Sequence, residues 1–244
     1  GDLLRALNVL DDLRGERSDD PDYWLLLGNA NLQFLEMRLA NGESDGLLIQ
    51  SLLEDASRSF ERVLQFSPDT LAAHVGKVRA LRLAGDFEAA WLAAMAAQEA
   101  AGASGLSAQQ QLECGRAGLA LTVEPLQADR GSPAAAMVAA TLLRDATEAG
   151  LADAAIALAD LQAWQSLREE AGTTLRKVLA AAPEHTLALQ RMKNLRSGSA
   201  DLLAQDLEWV RSQRPSNGLL LWHLGDARWQ EQIAARQAGD FLAA

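Results

Sequence analysis

An all-helical chain built from repeated antiparallel hairpins is predicted by three observations. First, alanine and leucine dominate a 244-residue sequence that is 49% hydrophobic and 5% aromatic. No Val/Ile/Thr-rich alternating run appears, so helical periodicity is the pattern left to bury apolar surface. Second, the hexad Gly85-Asp86-Phe87-Glu88-Ala89-Ala90 has counterparts in Gly1-Asp2-Leu3-Leu4-Arg5-Ala6 and Gly239-Asp240-Phe241-Leu242-Ala243-Ala244. Its Gly supplies a tight turn, its Asp caps a new helix, its apolar third residue packs back, and its small sixth residue lets two helices approach closely. Third, Asp20-Pro21, Ser67-Pro68 and Ser132-Pro133 punctuate the chain as helix starts, Pro being favoured at the first helical position. Such a chain is expected to stack as one elongated array in which each hairpin touches mainly its neighbours. It begins and ends at the same phase of the repeat, so flanking repeats are expected in a longer parent protein.

Residues 1–16 read as a lone second helix with Leu3, Leu7, Leu10 and Leu13 on one face. The first full repeat, about 21–67, carries an extended hairpin insertion around 35–53. Its helices, Pro21 to Leu39 and Leu47 to Phe66, flank the loop Asn41-Gly42-Glu43-Ser44-Asp45-Gly46. Further repeats follow at about 68–102, 107–149, 151–182 and 183–214, and a truncated one spans 215–244. Residues 101–107 and 122–133, the latter with Pro125 and Gly131, are the loosest segments and read as internal loops. The terminal unit opens on a long helix from Gly218 to Ala238.

Within the first repeat, Trp24-x-x-Leu27-Gly28, Ala56-x-x-x-Phe60 and Pro68 stand in order. This pattern resembles the tetratricopeptide repeat family, whose unit of about 34 residues carries W-x2-L-G-x2-Y, A-x3-F and a closing Pro. The resemblance recurs in phase along essentially the whole chain, through Gly85, Phe87 and Ala90; Gln111, Cys114 and Gly115; Leu158, Ala159, Ala171, Leu175 and Pro183; Leu189, Met192, Gly198, Leu207 and Pro215; and Leu221, Leu224 and Gly225. It departs at Asn31, where Tyr is usual, at His74 and Lys77, which replace Trp and Leu, and in the doubled spacing from Trp24 to Ala56. The resemblance implies an all-α, right-handed superhelical solenoid of helix hairpins whose first helices line a concave groove.

Net charge is −11, with 33 acidic and 22 basic residues, and the basic residues are scattered. Phosphate recognition needs clustered Lys and Arg, so nucleic acid and anionic membranes are not expected partners. No apolar stretch is long enough for a membrane-spanning helix. The one cysteine, Cys114, permits no internal disulfide and reads as a small buried hydrophobe. Nucleotide-binding, zinc-protease, nucleophile-elbow and EF-hand patterns are absent, and His74, His185 and His223 fall at unrelated phases. No cofactor, metal or catalytic residue is expected. His185 reads as a solvated turn residue and His74 as a half-buried packing residue.

The candidates are therefore docking residues. By the family resemblance, Leu25, Asn29, Gln33, Arg79, Arg82, Asp160, Trp164, Gln190, Asn194, Trp222, Asp226 and Trp229 face the groove. Asn29 and Asn194 share a phase that the family often uses to bind a peptide backbone. Leu25 and Gln190 stand where a carboxylate clamp needs Lys, which argues against such a clamp. Arg79 and Arg82 could receive one acidic side chain. Trp222 and Trp229 are two turns apart on one face and read as groove anchors if Leu221 and Leu224 point inward, or as residues buried by a further repeat. Trp24 reads as core, and Trp91 and Trp209 as wedges between repeats. In the projecting hairpin, Leu47, Leu48, Ile49 and Leu52 either zip against Leu32, Phe34, Leu35 and Leu39 or form a second contact surface. The function expected is a non-catalytic scaffold for a protein or peptide partner, in the groove or on the hairpin. The abundance of Arg over Lys in an Ala/Leu-rich chain suggests a bacterium with a GC-rich genome, and the resemblance to long bacterial repeat proteins implies envelope assembly or exopolysaccharide export, in the periplasm rather than the cytoplasm. Alternatives are a substrate-presenting region of a larger enzyme such as a glycosyltransferase, and a self-assembling scaffold.

Overall fold

The structure, a computed structural model, describes residues 2–123, 132–213 and 218–237. These residues form helices, with no strand among them: α1 (Asp2–Leu13), α2 (Pro21–Ala40), α3 (Gly46–Phe66), α4 (Leu71–Leu83), α5 (Phe87–Ala101), α6 (Ala108–Val123), α7 (Pro133–Glu148), α8 (Ala152–Trp164), α9 (Arg168–Ala181), α10 (Thr186–Leu195), α11 (Ala200–Gln213) and α12 (Gly218–Gln237). The loose segment at 101–107 holds a short 3-10 turn, Gly102–Ser104. Pro125, Gly131, Pro215, Ala238 and the hexad from Gly239 lie outside the described residues, as does Gly1. No described helix is long and apolar enough to cross a membrane.

Turn chemistry follows the sequence at most junctions. Asp20 accepts from the backbone N–H groups of Asp22 (3.0 Å) and Tyr23 (3.3 Å), with Pro21 at the first helical position. In the hexad, Gly85 takes φ +81° and Asp86 accepts from the N–H of Ala89 at 3.1 Å. Ser132 caps α7 through the N–H of Ala135 at 3.2 Å. Ser67-Pro68 behaves differently from its two counterparts. Ser67 closes α3, and α4 starts from Thr70. Pro68 thus sits in the turn and offers its carbonyl to His74 Nε2 at 2.7 Å. Trp24 Nε1 donates to Ser18 O in the same way, at 2.8 Å and the same six-residue interval. His74 therefore keeps the polar function of the Trp it replaces. His185, expected as a solvated turn residue, caps α10 by accepting from the N–H of Ala188 at 3.4 Å.

The chain divides into two compact units, Gly1–Leu142 and Leu143–Ala244, with the division inside α7. In the first unit α2 and α3 pair, α4 lies on α3, α5 on α4, and α6 on α5. Its core is centred on Phe60, fully buried with Leu27, Leu32, Leu35 and Ala56. The Phe60 ring fits because α2 and α4 present glycine to it. A Cβ on Gly28 would lie 2.8 Å from the ring, and one on Gly76 only 2.4 Å. Trp91 fits in the same manner over Gly118 of α6, where a Cβ would lie 2.8 Å from the indole, so it is the wedge the sequence suggested. Cys114 is fully buried beside Ala117. Its thiol is pushed up to about 12, first by burial and then by the neighbouring Glu113 carboxylate.

In the second unit α8 pairs with α9, α10 and α11 both lie on α9, and α12 lies on α11. Leu161, Leu175, Leu179, Met192, Leu207 and Leu220 are among its fully buried large side chains. One charged network is built into this packing. Arg196, 5% exposed at the end of α10, donates from Nε to Asp206 (2.8 Å) and from Nη1 and Nη2 to Glu169 (2.7 and 3.2 Å). Gly172 makes the room, since a Cβ there would lie 2.6 Å from the guanidinium. Asp206 also meets Arg176 at 3.3 Å, and Arg176 covers the ring of Trp209 at 5.6 Å. Trp209 is consequently no inter-repeat wedge. It stays 40% exposed under an arginine cap.

Candidate docking face on the first helices

The candidate residues lie on the first helices α2, α4, α8, α10 and α12, and charge pairs mark which faces look at one another. In the first unit, Arg79 of α4 pairs with Glu36 of α2. Arg82 of α4 reaches Glu113 of α6 at 3.1 Å, and Glu113 also meets Arg116 at 3.3 Å. Both arginines considered as receptors for an acidic partner thus already hold carboxylates of neighbouring first helices. Asn29 and Gln33 are exposed on α2 one turn apart, and Leu25 is half-buried against the core.

In the second unit, Asp160 of α8 pairs with Arg191 of α10 at 3.1 Å, and Lys193 of α10 pairs with Asp226 of α12 at 3.7 Å. Lys193 Nζ also lies 5.7 Å from the centre of the Trp222 ring. These contacts fix the orientation. Trp164 follows Asp160 by one turn on α8, Gln190 and Asn194 are exposed one turn apart on α10, and Trp222, Asp226 and Trp229 share one face of α12. The three tryptophans are 46%, 64% and 57% exposed.

A cleft of about 240 Å³ opens on this unit, lined by Asp160, Arg168, Arg191, Asn194, Ala163 and Leu195. Burial raises the Asp160 carboxyl above its ordinary value while the Arg191 guanidinium opposes the rise. His223 stands edge-on to Trp222 with ring centres 4.8 Å apart. Its pKa is lowered, first by burial and then by Lys193, and its Nδ1 is buried without a hydrogen-bond partner among the described residues. On α12, Leu224 packs inward as expected, but its inward partner is Leu220 in place of Leu221. Leu220 and Ala227 are buried with Leu224 packed against them, whereas Leu221 is 47% exposed.

Among solved structures the chain is similar to YrrB, a TPR protein with an unusual peptide-binding site, at 14% identity and a TM-score of 0.56, over 87% of this chain and 95% of that one. It is also similar to TTC0263, a thermophilic TPR protein of Thermus thermophilus, at 18% identity and a TM-score of 0.52, over 83% and 99%. A third is MamA, at 14% identity and a TM-score of 0.51, over 77% and 92%. The fold is that of the tetratricopeptide repeat proteins. No protein-family profile matches the sequence, and no curated protein sequence is significantly similar to it.

Seen as a tetratricopeptide fold, the chain keeps the packing positions of the repeat. Trp24, Gly28, Ala56 and Phe60 occupy them in the first hairpin, and Ala171 and Leu175 are buried in the second unit. The long first hairpin is closed on itself. Leu52 and Leu53 are buried, Leu48 and Ile49 are half-buried against the same cluster, and Leu35 and Leu32 receive them, while Leu47 stays 82% exposed and Leu39 42%. The Arg196 network had no local sequence signal. Its four charged residues come from α9, α11 and the turn after α10, and none sits in a recognisable motif.

Proposed function

We propose that the protein is a non-catalytic docking scaffold that holds a peptide or protein segment on the first-helix face of its second unit. The observation that carries this reading is the exposure of Trp164, Trp222 and Trp229 on first helices of one unit, with the exposed amides of Gln190 and Asn194 on the first helix between them and Asn194 in the wall of a cleft. Aromatic rings left in water beside hydrogen-bonding amides are the anchors from which binding hot spots are made. Asn194 can donate to and accept from an extended backbone, and the tryptophans can cover apolar side chains. Asp160 is paired with Arg191 at the cleft, and Lys193, paired with Asp226, lies beside the Trp222 ring. YrrB, described as having a peptide-binding site, shares the fold at low identity, and the same use of the fold is part of the proposal here.

A pull-down from lysate of the source organism tests it, comparing the unmodified chain with a Trp222→Ala/Trp229→Ala variant whose helicity is checked by circular dichroism. Both rings are more than half exposed, so the variant is expected to fold. A partner captured by the unmodified chain and lost by the folded variant supports the assignment. A partner retained by both removes these rings from the site. In this reading the scaffold serves bacterial envelope or exopolysaccharide export. Identification of the captured partner as an envelope component supports it, and a cytoplasmic enzyme favours the substrate-presenting alternative.

A further inference from the structure

The first unit contains a second groove whose origin is a mismatch in helix length. α2 and α3 have 20 and 21 residues, whereas α4, which packs on α3, has only 13. α4 is thus seven residues shorter than the equivalent first helix α2, about 10 Å of helix. The side of α3 that receives α4 continues beyond the end of α4 for about two turns. There the fold leaves a groove of about 470 Å³ lined by Ile49 and Leu53 of α3 and by Leu81 and Ala84 at the end of α4, with Glu54 and Asp86 at its rim.

The shape and the charge of this groove both point to one kind of occupant. The vacant space is the space of a helix, because two further turns of α4 would have filled it at ordinary interhelical spacing. The carboxylates of Glu54 and Asp86 accept hydrogen bonds from Gln50 and the Ala89 N–H, and among the described residues neither has a cationic partner. The carboxyl end of α4 and the amino end of α5 meet here with opposite partial charges, so the two carboxylates set the sign of the field. A second copy of this chain, with net charge −11, is repelled by that field. We propose that this groove docks an amphipathic helix of another protein that buries an apolar stripe on Ile49 and Leu81 and presents Lys or Arg to Glu54 and Asp86. The site is separate from the tryptophan-bearing face and does not depend on it.

The test uses the full chain and two fluorescein-labelled helical peptides of about 16 residues, a length at which an alanine-rich helix holds. Both carry the same leucines at i, i+3, i+4 and i+7, and they differ only in Lys or Glu beside that stripe. Fluorescence anisotropy should show the Lys peptide binding roughly tenfold tighter than the Glu peptide, as two exposed charge pairs allow, with a preference that shrinks as salt rises. Ile49→Glu should abolish binding and Glu54→Lys should reverse the preference, each with unchanged circular dichroism. Trp222→Ala/Trp229→Ala should bind as the unmodified chain does, which separates this site from the docking face. Equal binding of the two peptides, no binding, or loss in the tryptophan variant alone would overturn the proposal. So would a dimer in sedimentation that Ile49→Glu dissociates, because the occupant would then be a second copy.

Discussion

Gly76→Ala is the sharpest probe of how the first unit is packed, because two opposing effects of known size meet at one atom. In an exposed helix interior, Ala is about 1 kcal/mol better than Gly. At Gly76 the added Cβ would lie 2.4 Å from both Cε1 and Cζ of Phe60. The ring cannot simply retreat, since a Cβ on Gly28 would also stand 2.8 Å from it, so the opposite wall is already in contact. Overpacking a closed core costs about 1–3 kcal/mol, and two ring atoms forced to move by about an ångström place this case at the upper end. The expected outcome is a net loss of about 1–2 kcal/mol in the unfolding transition of the first unit. Urea denaturation followed by circular dichroism reads it, with Gly225→Ala as the control. Gly225 is also helical, has open space where its Cβ would be, and should gain up to about 1 kcal/mol. Phe60→Leu introduced together with Gly76→Ala should recover part of the loss relative to the sum of the single variants. A Gly76→Ala protein as stable as the unmodified one would refute the wedged-ring account.

Arg196→Met removes the shared partner of Asp206 and Glu169, and should lower stability by about 3 kcal/mol, the lower end for breaking a buried pair because Arg176 still meets Asp206. The Arg196 guanidinium holds the Glu169 carboxyl below its ordinary value of 4.5. The stabilisation it brings is therefore complete above that pH and is lost as pH falls through the lowered folded value. Glu169→Gln should flatten that acid limb of the stability profile, measured by thermal melts across pH. Cys114, with its thiol raised to about 12 and fully buried, should resist a thiol reagent at about pH 8 in the folded chain and react at once in urea. Ser166 takes φ +64° where the α4–α5 and α10–α11 turns use Gly85 and Gly198. Ser166→Gly should raise stability by up to about 1 kcal/mol by the same denaturation assay.

Much of this fold was legible because the information is local. Gly85-Asp86 dictates a turn and a cap within a few residues, and Trp24-x-x-Leu27-Gly28 with Ala56 and Phe60 places large and small residues at helical spacing. Where the information is not local, the sequence could not supply it. Arg79, Arg82, Asp160 and Asp226 each find an opposite charge on a neighbouring first helix, a pairing that depends on how helices are set side by side. Arg196 is buried only because Gly172, on another helix, leaves a hole for it. The phase of α12 was ambiguous because Leu219, Leu220 and Leu221 stand in a row, and any of the three could have led inward. Trp209 resembled Trp91 in sequence, but Trp91 meets a glycine and Trp209 meets an arginine.

The six tryptophans also make the central claim directly measurable. With 5-fluorotryptophan incorporated, fluorine NMR gives one signal for each of Trp24, Trp91, Trp164, Trp209, Trp222 and Trp229, assigned by single Trp→Phe variants. Addition of the captured partner, or of its binding segment, should shift Trp164, Trp222 and Trp229 and leave Trp24, Trp91 and Trp209 in place. Shifts confined to Trp24, Trp91 or Trp209, or none at all under saturating partner, would contradict docking on the first-helix face of the second unit.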